Sequence, residues 1–349
     1  MTELLSRLAG ARVLVTGGCG LIGSRIGRRL AEIGAVPVAL DSLDAYSFDY
    51  ADAFGARRAY SEVVCGDVAD PQAVRRAMRG CDYVVHAAAY ADVAACTNHV
   101  ERSTRTNVLG TQVVLDAVAE VRPRRLVYVS SASVYGNGPA PGTSQRWKET
   151  TPTAPISVYA NAKLWGEWQA QLQLADTGVD LVRLRYFSVY GEPQVPKPKS
   201  HSWCVAWFGF LAARGQPLRL NHGGRQIRDF IHVDDVAEAT IHALVSPAAH
   251  GRAINIGTGI PTSVADIAEA VAREFPGVER VLVPGPPGDP LGGYADVSEM
   301  EQVLQFRPTV RVMDGVRRYL DWLLRSPVLD RWAPALLGAD AVAAGKGPR

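Results

Sequence analysis

The chain has 349 residues, 47% hydrophobic and 21% charged, with a formal net charge of +2. That is enough for a sizeable core, in one large domain or two intimate ones. Balanced charge with scattered Lys and Arg excludes a nucleic-acid surface, and no run reaches the roughly 20 apolar residues of a membrane span.

The opening "MTELLSRLAGARVLV" has no long apolar core before its first strand, so no signal peptide is expected and the protein is placed in the cytoplasm. From there the chain alternates. Strand runs are "RVLVTG", "VPVAL" (Val36–Leu40), "SEVVCGD", "DYVVHAA", "RRLVYVSS" and "DLVRLRY" (Asp180–Tyr186). They are short, β-branched and almost continuously apolar, as in a parallel sheet buried on both faces. Between them lie the helical patterns "SRIGRRLAEIG", "PQAVRRAMRG", "TNVLGTQVVLDAVAEV" and "YANAKLWGEWQAQLQLADTG", with Gly34, Gly80 and Gly178 at helix ends. Six such repeats predict an α/β fold with a Rossmann-type, doubly wound parallel sheet. After about Tyr190 the rhythm changes. A Pro-rich stretch, "GEPQVPKPKSHSW", enters a smaller α/β lobe containing "AWFGFLAARGQPLRL", "RDFIHVDDVAEATIHALVS", "TSVADIAEAVAREF" and the loop "PGPPGDPLGGY". The expected division is a Rossmann-type domain of residues 1–186 with 229–256, a smaller lobe of 187–228 with 257–326, and a tail of 327–349.

Cys19, Cys65, Cys81, Cys96 and Cys204 are spread without paired spacing. They predict buried thiols in a reducing compartment and no metal centre.

The sharpest local signal is "VLVTGGCGLIGSRIGRRL", where a strand passes through glycines into a helix. Gly18, Gly20 and Gly23 fit G-x-G-x-x-G, and Gly17, Gly20 and Gly23 fit G-x-x-G-x-x-G. Glycine is costly in both elements, so a ligand must come close to the backbone. Amides at a helix N-terminus suit a pyrophosphate. Asp41, at the end of the second strand, suits ribose hydroxyls and would repel a 2′-phosphate, which favours NAD over NADP. Tyr159 and Lys163 are four residues apart and share a helix face. A cation beside a phenol lowers the phenol's pKa toward neutrality and makes it a usable base. Ser131 ends the fifth strand.

Together "VSSASVYG", "SVYANAK", "GDVAD", "HAAA", "TNVLGT", "RYFSVYG" and "RDFIHVDD" resemble the extended short-chain dehydrogenase/reductase family of nucleotide-sugar epimerases and dehydratases, from about Arg12 to Arg325. The resemblance implies that Tyr159 is the acid/base, that Lys163 holds the nicotinamide ribose, and that Ser131 bonds the same substrate oxygen. It places NAD against Gly17, Gly20, Leu21, Ile22, Gly23, Asp41, Asp67, Val68, Ala87, Ala88, Ala89, Asn107, Ser130, Tyr159, Lys163 and Tyr186. It places a nucleotide-diphosphate sugar against Ser131, Ser133, Ser188, Arg225, Arg228 and Asp289. It also implies a homodimer paired through the helices carrying Asn107 and Tyr159. The family's 4,6-dehydratases carry Asp-Glu directly before Val-Tyr-Gly; here the two positions are Ala132 and Ser133, so dehydration lacks its acid and base. C4 epimerisation fits. The alternatives are a net 4-keto reductase, a C2 or 3,5-epimerase, and a non-catalytic dinucleotide-sensing regulator. Three departures touch the substrate: Ser188 where the family has asparagine, no arginine in "GPPGD", and "YANAK" in place of Y-G-x-S-K.

Overall fold

The computed structural model describes residues 2–46, 50–137, 145–196, 203–284 and 292–331. In chain order the principal elements are β1 (Arg12–Thr16), α1 (Leu21–Glu32), β2 (Val36–Asp41), β3 (Glu62–Cys65), α2 (Pro71–Met78), β4 (Tyr83–His86), α3 (Gly110–Val121), β5 (Arg125–Ser131), α4 (Val158–Leu174), β6 (Asp180–Tyr186), α5 (Cys204–Ala212), α6 (Val233–Val245), β7 (Ala253–Ile256), α7 (Val264–Glu274) and α8 (Val312–Arg325). The seven strands form one sheet in the order β7-β6-β5-β4-β1-β2-β3, every neighbouring pair parallel. Strand order reverses between β1 and β4, which opens a crevice at the carboxyl edge where ligands bind in such sheets.

Alternation within each strand sorts the core into two layers. Val13 and Val15 of β1, with Val127 and Val129 of β5, join the cluster beneath α1 and α6. Leu14, Leu126 and Tyr128 point the other way and pack with Val74 of α2 and Val114 of α3. Both faces are therefore dry, which is why the strands read as unbroken apolar runs. The first of these clusters continues without interruption into α5, α7 and α8 through Val205, Phe208, Ile267, Val271, Val316 and Leu320. Around those helices lie short ladders: Leu218–Asn221 beside Arg280–Val283, Ser188–Tyr190 beside Phe230–His232, and Ile227–Arg228 antiparallel to Thr262–Ser263.

Several expectations change. The sheet has a seventh strand, β7, which returns beside β6 only after the chain has built part of the smaller lobe. Gln145–Trp147 pairs in parallel with Gly293–Ala295, so the end of the "PGPPGDPLGGY" loop is a strand. The helical run at "TNVLGT" opens with a π-turn, Arg105–Leu109, before α3 becomes regular. Among the cysteines, Cys19, Cys81 and Cys96 are buried, Cys204 is half-buried and Cys65 is exposed, so burial does not extend to all five.

Candidate functional site

Each glycine of the β1–α1 turn answers to a different neighbour. Gly17 has φ +68°, and a Cβ there would lie 2.8 Å from the Cα of Ala88. At Gly23 a Cβ would lie 2.2 Å from the carbonyl oxygen of Gly17, and at Gly18 it would meet the Ala39 side chain at 2.6 Å. Gly20 differs. Its nearest atom would be the Gly17 carbonyl at 3.5 Å, and it caps α1 with no side chain of its own. The first amides of α1, at Leu21, Ile22 and Gly23, have no intrahelical acceptor. Three packed glycines and one open helix end make a cradle that fits a dinucleotide pyrophosphate.

Asp41 closes β2 beside this turn. Its carboxylate accepts the Cys19 amide at 3.0 Å, the Leu43 amide at 3.0 Å and the Tyr50 hydroxyl at 2.6 Å. Tyr50, which sequence reasoning missed, thus fixes the acid that faces the crevice. Asp67 pairs with Arg105 at 2.9 Å, and Val68 is buried beneath Gly110.

Ala87, Ala88 and Ala89 follow β4 as a half-buried floor. A relay within the fold holds that floor in place. Thr16 accepts the Ala88 amide at 3.1 Å and donates to Nδ1 of His86 at 2.7 Å. Nε2 of His86 lies 3.0 Å from Thr111 Oγ1, which donates to the Asn107 carbonyl at 2.7 Å. Since Thr111 spends its proton on that carbonyl, His86 carries its own on Nε2. Burial pushes His86 down to about 3, with the Lys163 charge acting the same way, so it stays neutral. The Asn107 side chain accepts the Tyr90 amide at 2.8 Å and donates to the Tyr90 carbonyl at 3.1 Å. It clamps the chain after β4, and its carbonyl accepts the Thr111 hydroxyl from one turn on.

The end of β5 meets one face of α4. Lys163 is buried and donates from Nζ to the Val129 carbonyl at 2.7 Å, with its ammonium 5.9 Å from the Tyr159 ring centre. Ser131 donates to Ser133 Oγ at 3.0 Å. The pKa pattern departs from the sequence expectation. Burial pushes the Tyr159 phenol up to about 12, against the pull of Ser131, rather than down toward neutrality. Lost hydration is the largest cause, and Cys96 adds to it. Burial also pushes Lys163 down to about 8. Ser130 donates to Glu167 at 2.5 Å, and the buried Tyr186 hydroxyl lies 2.6 Å from Thr240 of α6. Both hydroxyls are thus committed to protein partners.

On the lobe side, Ser188 sits opposite Phe230 and donates its amide to the Asp229 carbonyl at 2.9 Å. Arg228 is half-buried with Nη1 2.8 Å from the Ile227 carbonyl, and Arg225 is exposed. The Asp229 carboxylate accepts the amides of Thr258, Gly259 and Ala295 and so ties this segment down. His232 is fully buried and accepts the Asp234 amide at the start of α6, as a core histidine does. Asp289, and with it Lys197 and Lys199, lies outside the described residues.

A family model described as the NAD dependent epimerase/dehydratase family matches residues 13–257. The chain is 31% identical to a dTDP-glucose 4,6-dehydratase of Streptomyces niveus, over 89% of this chain and 92% of that one. It is 29% identical to a UDP-glucose 4-epimerase of Mycolicibacterium smegmatis, over 89% and 98%. Among solved structures, the UDP-glucose 4-epimerase of Thermus thermophilus in complex with NAD matches with a TM-score of 0.79 and 30% identity, over 90% of this chain and 99% of that one.

Proposed function

This chain belongs to the NAD dependent epimerase/dehydratase family, and from that membership we propose that it inverts C4 of a nucleotide-diphosphate sugar through a transient 4-keto intermediate. Its cofactor is NAD. The amides of Leu21, Ile22 and Gly23 would hold the pyrophosphate, Asp41 the adenosine ribose, and Lys163 the nicotinamide ribose. Bound there, NAD supplies reversible hydride acceptance and, when oxidised, a positive charge that draws Tyr159 toward phenolate. Tyr159 takes the proton of the C4 hydroxyl and returns it to the ketone oxygen, while Ser131 holds that oxygen. The sugar nucleotide lies between the carboxyl edge of the sheet, in residues 1–186 with 229–256, and the lobe of 187–228 with 257–326.

The observation that carries this reading is the turn after β5. Ala132–Tyr135 forms a single 3-10 turn beside Ser131, and its two positions nearest the strand, Ala132 and Ser133, offer no carboxylate. Dehydration needs an additional acid and base; epimerisation needs one phenol. No helix among the described residues is long and apolar enough to cross a membrane. The reading includes a homodimer paired through α3 and α4. Leu109, Trp168 and Leu172, on and just before those helices, are exposed apolar side chains of the kind a partner covers.

The test uses a panel of nucleotide-diphosphate hexoses deuterated at C4, with no added nicotinamide. Product inverted at C4 with deuterium retained is the expected result. Loss of deuterium to water, or an absolute need for added NADH, would overturn it.

The fixed geometry of Asp41 gives a second expectation, on cofactor choice. Asp41→Asn keeps the shape and removes the charge. NAD affinity should fall roughly tenfold or more, the usual worth of a hydrogen bond to a charged group, while NADP binding should improve relative to NAD. Calorimetry with both nucleotides reads this; an unchanged NAD to NADP ratio would refute the role of Asp41.

A further inference from the structure

The last three residues of β5 are each engaged from one face of α4, at positions one helical turn apart. Ser131 pulls the Tyr159 phenol down, the Val129 carbonyl accepts Lys163, and Ser130 donates to Glu167. The first two of these α4 residues belong to the proposed chemistry and the third does not. Glu167 is 2% exposed and is gripped by Arg185 of β6 through Nε at 2.9 Å and Nη2 at 2.7 Å. Arg185 also donates to the Tyr135 hydroxyl at 2.9 Å and to the Glu149 carbonyl at 3.1 Å, and Tyr135 donates to Asn255 of β7 at 2.7 Å. A buried ion pair is weak ground for stability, because desolvation cancels most of the attraction. Its placement directly below Lys163 calls for another reason.

We propose that Glu167, braced by Arg185, is a positioning residue that seats Lys163 at the end of β5 and supplies a fixed negative charge one helical turn from it. The proposal rests on the reading of Tyr159 and Lys163 given above. The groups facing Lys163 are few. On α4 they are Tyr159 and Glu167; from β5 comes the Tyr128 ring at 5.4 Å; from β4 comes His86; from the helix Val93–Asn98 comes Cys96; and Arg185 lies behind Glu167. Tyr128 and Tyr159 are protonated phenols, His86 is neutral, and burial pushes the Cys96 thiol up. Two groups raise Lys163 against the burial that lowers it, Cys96 and then Glu167, and of these Glu167 is the carboxylate, fixed by Ser130 and Arg185. Without it, the cation that the phenol and the cofactor ribose depend on loses its proton at lower pH.

The sequence makes this directly measurable, because its 37 basic residues include only five lysines, Lys148, Lys163, Lys197, Lys199 and Lys346. The full chain is labelled with ¹³C at lysine Cε and titrated by NMR, with Lys163→Arg assigning the resonance. In the native protein Lys163 should titrate near the value of about 8. Glu167→Gln should lower that midpoint by about one pH unit, and the alkaline limb of the pH–rate profile should move with it. At pH 8 the protonated fraction then drops roughly fivefold. Glu167→Asp, which keeps the charge, should restore most of both. If the single variant does not fold, Glu167→Gln with Arg185→Gln strands no charge and should lower the midpoint by less. A folded variant whose Lys163 titrates at the native pH would overturn the proposal and leave the pair a packing feature. The titration needs no substrate, so a protein that turns over no sugar nucleotide refutes the epimerase reading without touching this result.

Discussion

Tyr159→Phe should leave a folded, cofactor-binding protein whose turnover has fallen by roughly 10²–10⁴-fold, the range attributed to general acid–base catalysis. The ring keeps its place beside Lys163, and Ser131 keeps its bond to Ser133, so neither packing nor the strand end has cause to move. Only the exchangeable proton is lost. The free protein holds that phenol protonated, since burial pushes it up to about 12. Activity therefore depends on whatever draws it toward phenolate, and Lys163 is the cation the chain itself provides. The loss should thus appear in kcat at saturating substrate, with KM little changed. A variant retaining more than about a tenth of native kcat would remove Tyr159 from the acid/base role.

Gly23→Ala should be strongly disruptive. Its Cβ would stand 2.2 Å from the Gly17 carbonyl oxygen and 2.7 Å from the Gly18 Cα, both backbone atoms. Gly17 cannot retreat, because it is pressed against Ala88 on β4's extension. The helix start must shift, which opens the cradle and costs on the order of 3 kcal/mol or more, as overpacking against a fixed backbone does. The protein should emerge with a lowered thermal midpoint and without bound NAD. Gly20→Ala is the informative contrast. It meets nothing closer than 3.5 Å, so stability should hold while NAD affinity falls, because its methyl occupies the approach to the open amides. Equal thermal loss in both variants would contradict the division between packing glycines and the ligand-facing one.

What the sequence discloses of this site follows from how local each cause is. The glycine turn is legible because strand, turn and helix are contiguous, and Tyr159 with Lys163 because four residues make a shared helix face. Glu167 is four further on, so the same period leads to it. Its partner Arg185 has no such marker, since nothing in a strand's own pattern says which acid it will face. The Thr16–His86–Thr111 relay joins three elements and leaves no periodic trace. The π-turn at Arg105–Leu109 brackets Asn107, whose clamp on Tyr90 is a tertiary contact that no local period records. Three-residue strands such as Gln145–Trp147 are too short to show alternation, and they exist only because Gly293–Ala295 arrives beside them. The direction of the Tyr159 shift escapes the sequence for a similar reason: spacing reveals a neighbour, and burial has to be seen.

The late return of β7 bears on how the chain is made. Until Ala253–Ile256 leaves the ribosome, the outer edge of β6 has no partner, an interval of about 70 residues, or several seconds at ordinary rates of synthesis. An unpaired apolar edge is a template for association with other nascent chains. In "DLVRLRY" that edge carries Arg183 and Arg185 among its leucines. Arg185 finds Glu167 on a helix already synthesised, and Arg183 stays half-buried at the rim. Arg183, which meets the Gly251 carbonyl only once that later segment is made, is thus the charge placed on the waiting strand.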